Sequence, residues 1–138
     1  MSPTATAPGL PQFCADGGPG LVVTDVDSTL IEQEVIELIA EHAGTREQVA
    51  DITERAMRGE LDFAASLRQR VSTLAGVNRT IFADVLDQVR LTPGAEELIA
   101  RLHASGCRVG IVSGGFTEVV GPLATRLGID HMAANRLE

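Results

Sequence analysis

The sequence predicts an α/β fold in which a parallel-sheet core is interrupted by an insert of four helices. Two short apolar runs rich in β-branched residues, at positions 21–24 and 109–112, are typical of buried strands. Four amphipathic helical patterns follow one another between these runs, and one more leads into the second run. Strands that alternate with helices predict parallel pairing, and the insert is far longer than a simple crossover needs.

Composition and pattern divide the chain into a tail, a core and a cap. Residues 1–20 hold four of the six prolines, which predicts a flexible N-terminal tail. The core is expected over residues 21–33 and 92–138, and the helical cap over residues 34–91. We expect this cap to lie over the carboxyl end of the first strand.

Capping residues and a glycine predict the ends of the helices in the insert. Gly44 is expected to end the first helix. Thr45 is expected to open the second with a capping box that includes Gln48. Asp62 and Asn78 are predicted to cap the third and fourth helices with their side chains.

A second set of signals marks the return to the core. Thr92 is predicted to be an N-cap, because the proline after it suits the first helical position. After the second strand, Gly121 and Pro122 are expected to break or kink the next helix. A third strand is predicted near residues 131–135.

Composition argues against several classes of partner. The 138 residues carry a net charge of −8 and only 3% aromatic residues, so we expect no nucleic acid to bind. No apolar run approaches the ~20 residues of a membrane span, and the first cationic residue is Arg46, which gives no charged start for a signal peptide. Cys14 and Cys107 lack metal-ligand spacing. These features predict a cytoplasmic protein that acts on a small molecule and has no membrane partner.

Two polar motifs follow the two strands, at the place where open parallel sheets bind ligands. Asp25 and Asp27 follow the first strand, and alternation in an extended segment would point both to the same side. Two carboxylates this close repel each other unless a cation such as Mg²⁺ lies between them. One carboxylate could then attack phosphorus while the other acts as general acid and base. Ser113 and Gly114 follow the second strand and could bind phosphate oxygens near a helix N-terminus.

Structural alternatives stay open for both motifs. The two aspartates could be turn and helix-cap carboxylates. A calcium loop fits the same two acids, but its sixth position is Leu30 instead of Gly and its twelfth is Ile36 instead of Glu. Ser113 and the glycines after it could form an ordinary strand-to-helix turn.

The motif DVDST at residues 25–29, followed by VSGGF at residues 112–116, resembles the haloacid dehalogenase superfamily of phosphohydrolases. The blocks EVIELIAEHAG, TPGAEELI and ANRLE resemble the phosphoserine phosphatase branch of that superfamily in order and spacing. The resemblance covers residues 21–138. It implies a Rossmannoid core with a helical cap, and the hydrolysis of O-phosphoserine in L-serine biosynthesis.

The resemblance implies a role for each matched residue of the core. Asp25 is expected to be the nucleophile and Asp27 the general acid/base. Asp25 and the backbone carbonyl of Asp27 are expected to help hold Mg²⁺. Ser113 and Gly114 are expected to bind the phosphate group.

The resemblance also assigns substrate recognition to four residues of the cap: Glu34, Met57, Phe63 and Arg70. Charge agrees with two of these assignments, because Glu34 can hold the ammonium of phosphoserine and Arg70 can grip its carboxylate with two hydrogen bonds. The alternative is that the two charged residues are solvated helix charges. Met57 and Phe63 could likewise be core residues of the cap.

One part of the family pattern is missing. The family has a lysine downstream of the serine motif, and a later Gly-Asp-rich motif whose aspartate completes the metal site. All eleven basic residues of this chain are Arg, and no acid after Ser113 lies in such a motif. We therefore interpret the chain as the N-terminal part of a C-terminally truncated enzyme, inactive by itself. Two alternatives remain: a phosphatase for another small phosphomonoester, and a non-catalytic fragment.

Overall fold

The computed structural model describes residues 20–137, which fall into two compact units. The core unit consists of the described residues up to Glu32 and from Leu91 onward, and the helical unit is Gln33–Arg90. The predicted boundaries, at residues 33/34 and 91/92, differ from these by one residue each. The predicted tail lies outside the described residues, apart from Gly20.

Strands and helices occupy most of the described chain. In chain order they are β1 Leu21–Thr24, α1 Val35–Ala43, α2 Arg46–Met57, α3 Phe63–Ser72, α4 Ile81–Gln88, α5 Ala95–Ala104, β2 Arg108–Phe116, α6 Thr117–Leu127 and β3 His131–Asn135. None of the helices within residues 20–137 is long and apolar enough to cross a membrane.

The core unit is built on a three-stranded parallel sheet with β2 at its centre, in the order β1-β2-β3. Helix α5 packs on β2, and α6 packs on both β2 and β3. Val109 and Ile111 are buried along β2, and the buried face of α6 includes Val119 and Leu123. The predicted α/β fold with a parallel sheet, including the third strand, is confirmed.

Strand β1 is less buried than its sequence predicts. The side chains of Leu21 and Val23 are 60% and 52% exposed. Val23 and the exposed Val112 lie on one face of the sheet, since a Cβ on Gly110 would be 3.9 Å from Val23 Cγ2 and 3.6 Å from the His131 Cβ. A continuous apolar run is typical of a parallel strand that is covered on both faces. Within the described core unit, β1 is an edge strand and this face stays open.

The helical unit contains α1 to α4, with α1 packed against α2 and α4, and α2 against α3. Its buried apolar side chains lie at helical spacing, for example Val35 and Ile39 on α1 and Val49 and Ile52 on α2. Gly44 ends α1 with a φ of 74°, a left-handed conformation that favours glycine. The predicted end of the first helix is therefore confirmed.

The predicted caps of the helical unit have mixed outcomes. Asp62 caps α3 as expected, because its Oδ1 accepts a hydrogen bond from Ala65 N at 2.7 Å. Thr45 precedes α2 but makes no capping bond, and its Oγ1 is buried without a partner. Its ψ of 16° lies outside the extended region that a capping side chain requires. Asn78 accepts from Thr80 N at 3.0 Å and so caps the turn before α4 instead of the helix itself.

Among the predictions for the core helices, the cap at Thr92 and the break at Pro122 are wrong, and a kink at Pro122 stays a prediction. Gly94, with a φ of 84°, occupies the N-cap of α5 in place of Thr92. Helix α6 continues through Gly121 and Pro122, although proline inside a helix costs about 3 kcal/mol. We attribute this continuity to the apolar face of α6, which is buried against the sheet on both sides of Pro122.

An exposed cluster of ion pairs lies at the C-terminal end of α2. Arg58 donates to Glu60 from Nε and to Glu54 from Nη1, each at 2.9 Å, and Arg55 Nε donates to Glu60 at 3.2 Å. The hydrogen bonds from Arg58 and then Arg55 lower the pKa of the Glu60 carboxyl. Exposed pairs of this kind add little to stability.

Candidate active site

The segment after β1 is a tight turn organised by one carbonyl group. The carbonyl oxygen of the fully buried Val26 accepts hydrogen bonds from the amides of Thr29, Leu30 and Ile31 at 3.1, 2.9 and 3.1 Å. Ser28 has a φ of 54°, a left-handed conformation that is uncommon for a residue with a side chain. The backbone around the two aspartates is therefore held in a defined and partly strained turn.

The two aspartates lie at the start of this turn. Asp25 is exposed, and its Oδ1 accepts a hydrogen bond from Val26 N at 2.7 Å. Asp27 is half-buried and begins the turn at residues 27–30. The regular strand ends at Thr24, and whether the two carboxylates point to the same side stays a prediction.

Thr92 fastens the turn to the segment that returns from the helical unit. Its Oγ1 donates to the carbonyl oxygen of Thr29 at 2.6 Å, and its N–H donates to the carbonyl oxygen of Leu30 at 2.9 Å. Ile31 and Leu91 form an antiparallel bridge beside these bonds. The sequence predicts only a capping role for Thr92, since no sequence signal links it to a loop 63 residues earlier.

The segment after the regular part of β2 is a bulge. Val112 pairs with Ala133 and Phe116 pairs with Asn135, so the register shifts between them. Between these two pairs β2 has more residues than β3, and residues 113–115 form the bulge. Ser113 Oγ accepts a hydrogen bond from Gly115 N at 2.9 Å, and Asn135 Nδ2 donates to the carbonyl oxygen of Gly114 at 3.0 Å. Bulges of this type re-aim side chains and occur often beside active sites.

The two motifs meet at Gly115. A Cβ on this glycine would lie 3.1 Å from Ser113 Oγ and 3.8 Å from Asp27 Oδ2. The absence of a side chain therefore leaves a small space bordered by a carboxylate and a hydroxyl. Parallel pairing of β1 with β2 brings these groups to the same edge of the sheet. A carboxylate in such a space can exchange a proton, and the hydroxyl and backbone amides beside it can donate hydrogen bonds to an anionic group.

The remaining candidate residues belong to the helical unit. Met57 and Phe63 are 84% and 65% exposed, so the alternative that they form the core of the cap is wrong. Glu34 is half-buried at the N-cap position of α1. Arg70 is half-buried on α3, and its Nε donates to the carbonyl oxygen of Ser66 at 3.4 Å. The roles of these four residues stay predictions.

The donors near the two motifs suit a hard metal ion. Asp25 and Asp27 offer carboxylate oxygens, and Mg²⁺ is held in many sites by one or two carboxylates together with waters and substrate phosphates. Residues 20–137 contain no group of three or more His, Cys, Asp or Glu side chains that could bind a metal. The residues present therefore fit a Mg²⁺ ion that shares its coordination with substrate and water.

The core unit also has a cavity of about 680 Å³ between β1 and α5. Val22, Leu98 and Leu102 are among its mostly apolar lining residues. Asp25, Asp27 and Ser113 do not line it, so it does not serve the chemistry of the two motifs.

A family model described as haloacid dehalogenase-like hydrolase matches residues 19–137. This chain belongs to the haloacid dehalogenase-like hydrolases. The expected resemblance is thereby confirmed at the level of the family.

Several phosphoserine phosphatases are similar to the chain in sequence. That of Streptococcus thermophilus is 54% identical over 119 residues, which cover 86% of this chain and 55% of the relative. That of Lactococcus lactis is 55% identical over 118 residues, with the same two shares. The enzyme of Saccharomyces cerevisiae is 49% identical over 119 residues, 38% of its length. The chain thus spans about half the length of the two bacterial relatives.

Solved structures give the same result for the fold. A phospho-aspartyl intermediate analogue of phosphoserine phosphatase matches with a TM-score of 0.80 and 42% identity, over 87% of this chain and 57% of that one. A substrate-bound phosphoserine phosphatase matches with a TM-score of 0.81 and 41% identity over the same shares. The α/β core of the chain has the fold of this family.

Proposed function

We propose that this chain carries the catalytic residues of a phosphoserine phosphatase, which hydrolyses O-phosphoserine to serine and phosphate in L-serine biosynthesis. The observation that carries the proposal is the meeting of Asp27 Oδ2 and Ser113 Oγ at Gly115, at the carboxyl edge of the sheet. Membership of the hydrolase family and the names of the relatives support it.

The reaction has two steps that share one pair of carboxylates. In the first, an oxygen of Asp25 bonds to phosphorus, and the bond from phosphorus to the serine oxygen breaks. Asp27 donates its proton to that oxygen. In the second, Asp27 takes a proton from water as the water oxygen bonds to phosphorus, and the aspartyl-phosphate bond to Asp25 breaks. The exposed position of Asp25 suits a group that a substrate must reach.

The bulge in β2 would bind the phosphate group. The hydroxyl of Ser113 and the backbone of Gly114 would contact phosphate oxygens, at the entrance to α6. Asp25 and the carbonyl group of Asp27 would hold Mg²⁺, which would neutralise part of the phosphate charge. The oxygen donors of the turn and the open space at Gly115 support both assignments.

Substrate selection would come from the helical unit. Arg70 would bind the carboxylate of phosphoserine and Glu34 its ammonium. Met57 and Phe63 would cover the apolar part of the substrate, and their high exposure supports a contact role over a core role. We also propose that the protein is cytoplasmic, acts on a small molecule, and binds neither nucleic acid nor membrane, consistent with its net charge of −8.

Two other functions compete with this one. The same groups could hydrolyse another small phosphomonoester, because the core residues contact only the phosphate. A non-catalytic role is favoured by one observation: the chain has no lysine, since all eleven basic residues are Arg. Loss of one charge-stabilising group often costs ~10² to 10³ in rate, so we expect little turnover from the 138 residues alone.

The test compares this chain with a chimaera in which it replaces the matched segment of the Streptococcus thermophilus phosphoserine phosphatase. Phosphate release is measured with Mg²⁺ and either O-phosphoserine or an aryl phosphate. We expect the chimaera to turn over phosphoserine at roughly 10 s⁻¹, an ordinary enzyme rate, and to prefer it to the aryl ester. The chain alone should approach background.

Each alternative has its own outcome. A chimaera that favours other phosphomonoesters over phosphoserine contradicts the proposed substrate. A folded chimaera that releases no phosphate from any ester supports the non-catalytic role. Turnover by the 138-residue chain within tenfold of the chimaera would show that an Arg, or another residue, replaces the missing lysine.

A further inference from the structure

One peptide group, between Gly114 and Gly115, connects Ser113 to strand β3. Its carbonyl oxygen accepts a hydrogen bond from Asn135 Nδ2 at 3.0 Å. Its N–H donates to Ser113 Oγ at 2.9 Å. The peptides of residues 20–137 are trans, and the C=O and N–H of a trans peptide point in opposite directions. The two hydrogen bonds therefore hold this peptide plane from both sides.

The peptide needs such support because it joins two glycines within a bulge. Glycine adopts left-handed and right-handed conformations with similar ease, so steric resistance to rotation of this plane is small. A half turn would withdraw the Gly115 N–H from Ser113 Oγ and turn the Gly114 carbonyl oxygen toward it. A carbonyl oxygen in that position would repel an anion.

The observed orientation also directs the hydroxyl of Ser113. The Gly115 N–H occupies an acceptor position of Oγ, which has one proton of its own to donate. That proton must point away from the Gly115 amide. It is thereby available to an acceptor outside the bulge, such as a phosphate oxygen.

Neighbouring elements hold the backbone of Asn135 in place. It pairs with Phe116 in the parallel register of β2 and β3. Two residues later, Leu137 N donates to Glu118 Oε1 at 3.1 Å, which ties the segment after β3 to the first turn of α6. The backbone at Asn135 and just after it is thus fixed, and it carries the side-chain amide that contacts Gly114.

We propose that Asn135 is a positioning residue for the phosphate-binding segment: its amide holds the Gly114–Gly115 peptide so that the Ser113 hydroxyl can donate to phosphate. That this segment binds phosphate rests on the proposed phosphatase function. The tether, meaning the hydrogen bond by which Asn135 holds the Gly114–Gly115 peptide, rests only on the two hydrogen bonds of that peptide. Asn135 acts through the peptide and has no contact with substrate in this role.

The experiment uses the full 138-residue chain, labelled with ¹⁵N, and the variants Asn135→Asp and Asn135→Ala. Both variants remove the donor, and only the first adds a charge. Asn78→Asp is the matched control, because it makes the same change in the helical unit. There Asn78 accepts from Thr80 N through Oδ1, a bond that aspartate keeps.

Two quantities are measured: hydrogen exchange of the Gly115 amide in the 138-residue chain, and the affinity of the chimaera with the same substitutions for beryllofluoride with Mg²⁺, a phosphoryl analogue. We expect Gly115 exchange to rise about tenfold or more in both Asn135 variants through local opening, with the Ile111 amide of β2 unchanged. We expect the affinity for beryllofluoride to fall about tenfold. Asn78→Asp should change neither quantity.

Several results would overturn the proposal. Unchanged Gly115 exchange in the Asn135 variants, or an effect of the aspartate variant alone, removes the tether. A rise that extends to Ile111 shows a global and not a local effect. Raised Gly115 exchange with unchanged affinity removes the role in phosphate binding. Failure of the unsubstituted chimaera to bind beryllofluoride counts against the proposed function, while Gly115 exchange in the 138-residue chain still decides whether Asn135 holds the peptide.

Discussion

The core unit and the helical unit hold their candidate residues in different ways. In the core unit, the turn with Asp27 is fixed by three hydrogen bonds to the Val26 carbonyl, and Ser113 is fixed by the Gly115 amide. In the helical unit, Met57 and Phe63 project with 84% and 65% of their surface exposed. The first arrangement preorganises chemical groups, whereas the second offers adaptable contact surface.

This difference predicts two classes of variant. Changes in the core unit should slow the reaction with every phosphate ester, because its groups contact the part that all esters share. Changes in the helical unit should alter which ester is used, because its residues would contact the part that differs. The activity of each variant is measured in the chimaera with O-phosphoserine and with an aryl phosphate.

Asp25→Asn should have the largest effect. An amide is too weak a nucleophile to attack phosphorus, so kcat should fall by at least about 10⁴ with both esters, as for other covalent catalysts that lose the nucleophile. Phosphate release in single-turnover kinetics measures the loss. Asp130→Asn, at an exposed acid of the core unit before β3, should leave the rate within about twofold of the unsubstituted protein. Equal losses in the two variants would contradict a special role for Asp25.

Gly115→Ala should have the next largest effect. Its Cβ would lie 3.1 Å from Ser113 Oγ, closer than side chains normally pack, so the hydroxyl must move. The hydroxyl must give way by a few tenths of an ångström; because a misplacement of about 1 Å can cost ~10² in rate, we expect a loss of roughly 10- to 100-fold in kcat/KM with both esters.

The matched control for this glycine is Gly121→Ala. Apart from its chain neighbours and the backbone of its own helix, a Cβ there would meet Met132 Cε within 4 Å, at an ordinary 3.8 Å. Alanine favours a helix interior, but the ring of Pro122 disfavours the helical conformation of a preceding residue that carries a Cβ, so this variant should change the free energy of unfolding by less than about 1 kcal/mol and keep full activity. Denaturant unfolding measures the change. Full activity in Gly115→Ala would show that the space at Gly115 has no catalytic use.

Arg70→Ala should separate the two esters. Loss of a charge-assisted hydrogen bond of about 1.5–3 kcal/mol predicts a fall of roughly 10- to 100-fold in kcat/KM for phosphoserine. The aryl ester lacks the carboxylate and should be unaffected. Arg68→Ala changes an exposed neighbour on the same helix and should spare both. A comparable loss on both esters in Arg70→Ala would point to a structural role.

Glu60→Gln should have the smallest effect. The hydrogen bonds from Arg58 and Arg55 lower the pKa of Glu60, so the folded state favours the charged form. Their contribution is present above the ordinary pKa of a glutamate and is lost as the pH falls through the lowered value. We expect a slightly lower Tm than that of the unsubstituted chain at neutral pH, no difference once Glu60 is protonated, and no change in activity. A Tm difference that persists in acid would contradict this explanation.

The sequence was sufficient for the parts of the fold that depend on local patterns. Apolar periodicity gave the parallel sheet and the helices, and the side chain of Asp62 gave a cap that the structure contains. The break at Pro122 was wrong because burial of the α6 face is a tertiary effect that outweighs a local penalty. The burial of β1 was overestimated because an apolar run does not reveal which faces are covered.

For the site, too, the sequence predicted the parts that depend on local patterns and missed those that depend on distant contacts. DVDST and VSGGF identified the two segments that meet, since parallel strands bring their carboxyl ends together. The supports of those segments could not be predicted. Thr92 contacts a carbonyl 63 residues away and Asn135 one 21 residues away, and neither has a local signal. Side chains that bond to distant backbone groups become visible only once the register of the sheet is known.

The central claim is that Asp25 receives the phosphoryl group, and trapping that group tests it most directly. The chimaera is mixed with O-phosphoserine and Mg²⁺, and borohydride then reduces any aspartyl-phosphate to homoserine. Peptide mass spectrometry locates the modified residue. We predict homoserine at position 25, and none in the Asp25→Asn variant. Homoserine at position 27, or steady phosphate release with no homoserine in the chain, would contradict the claim.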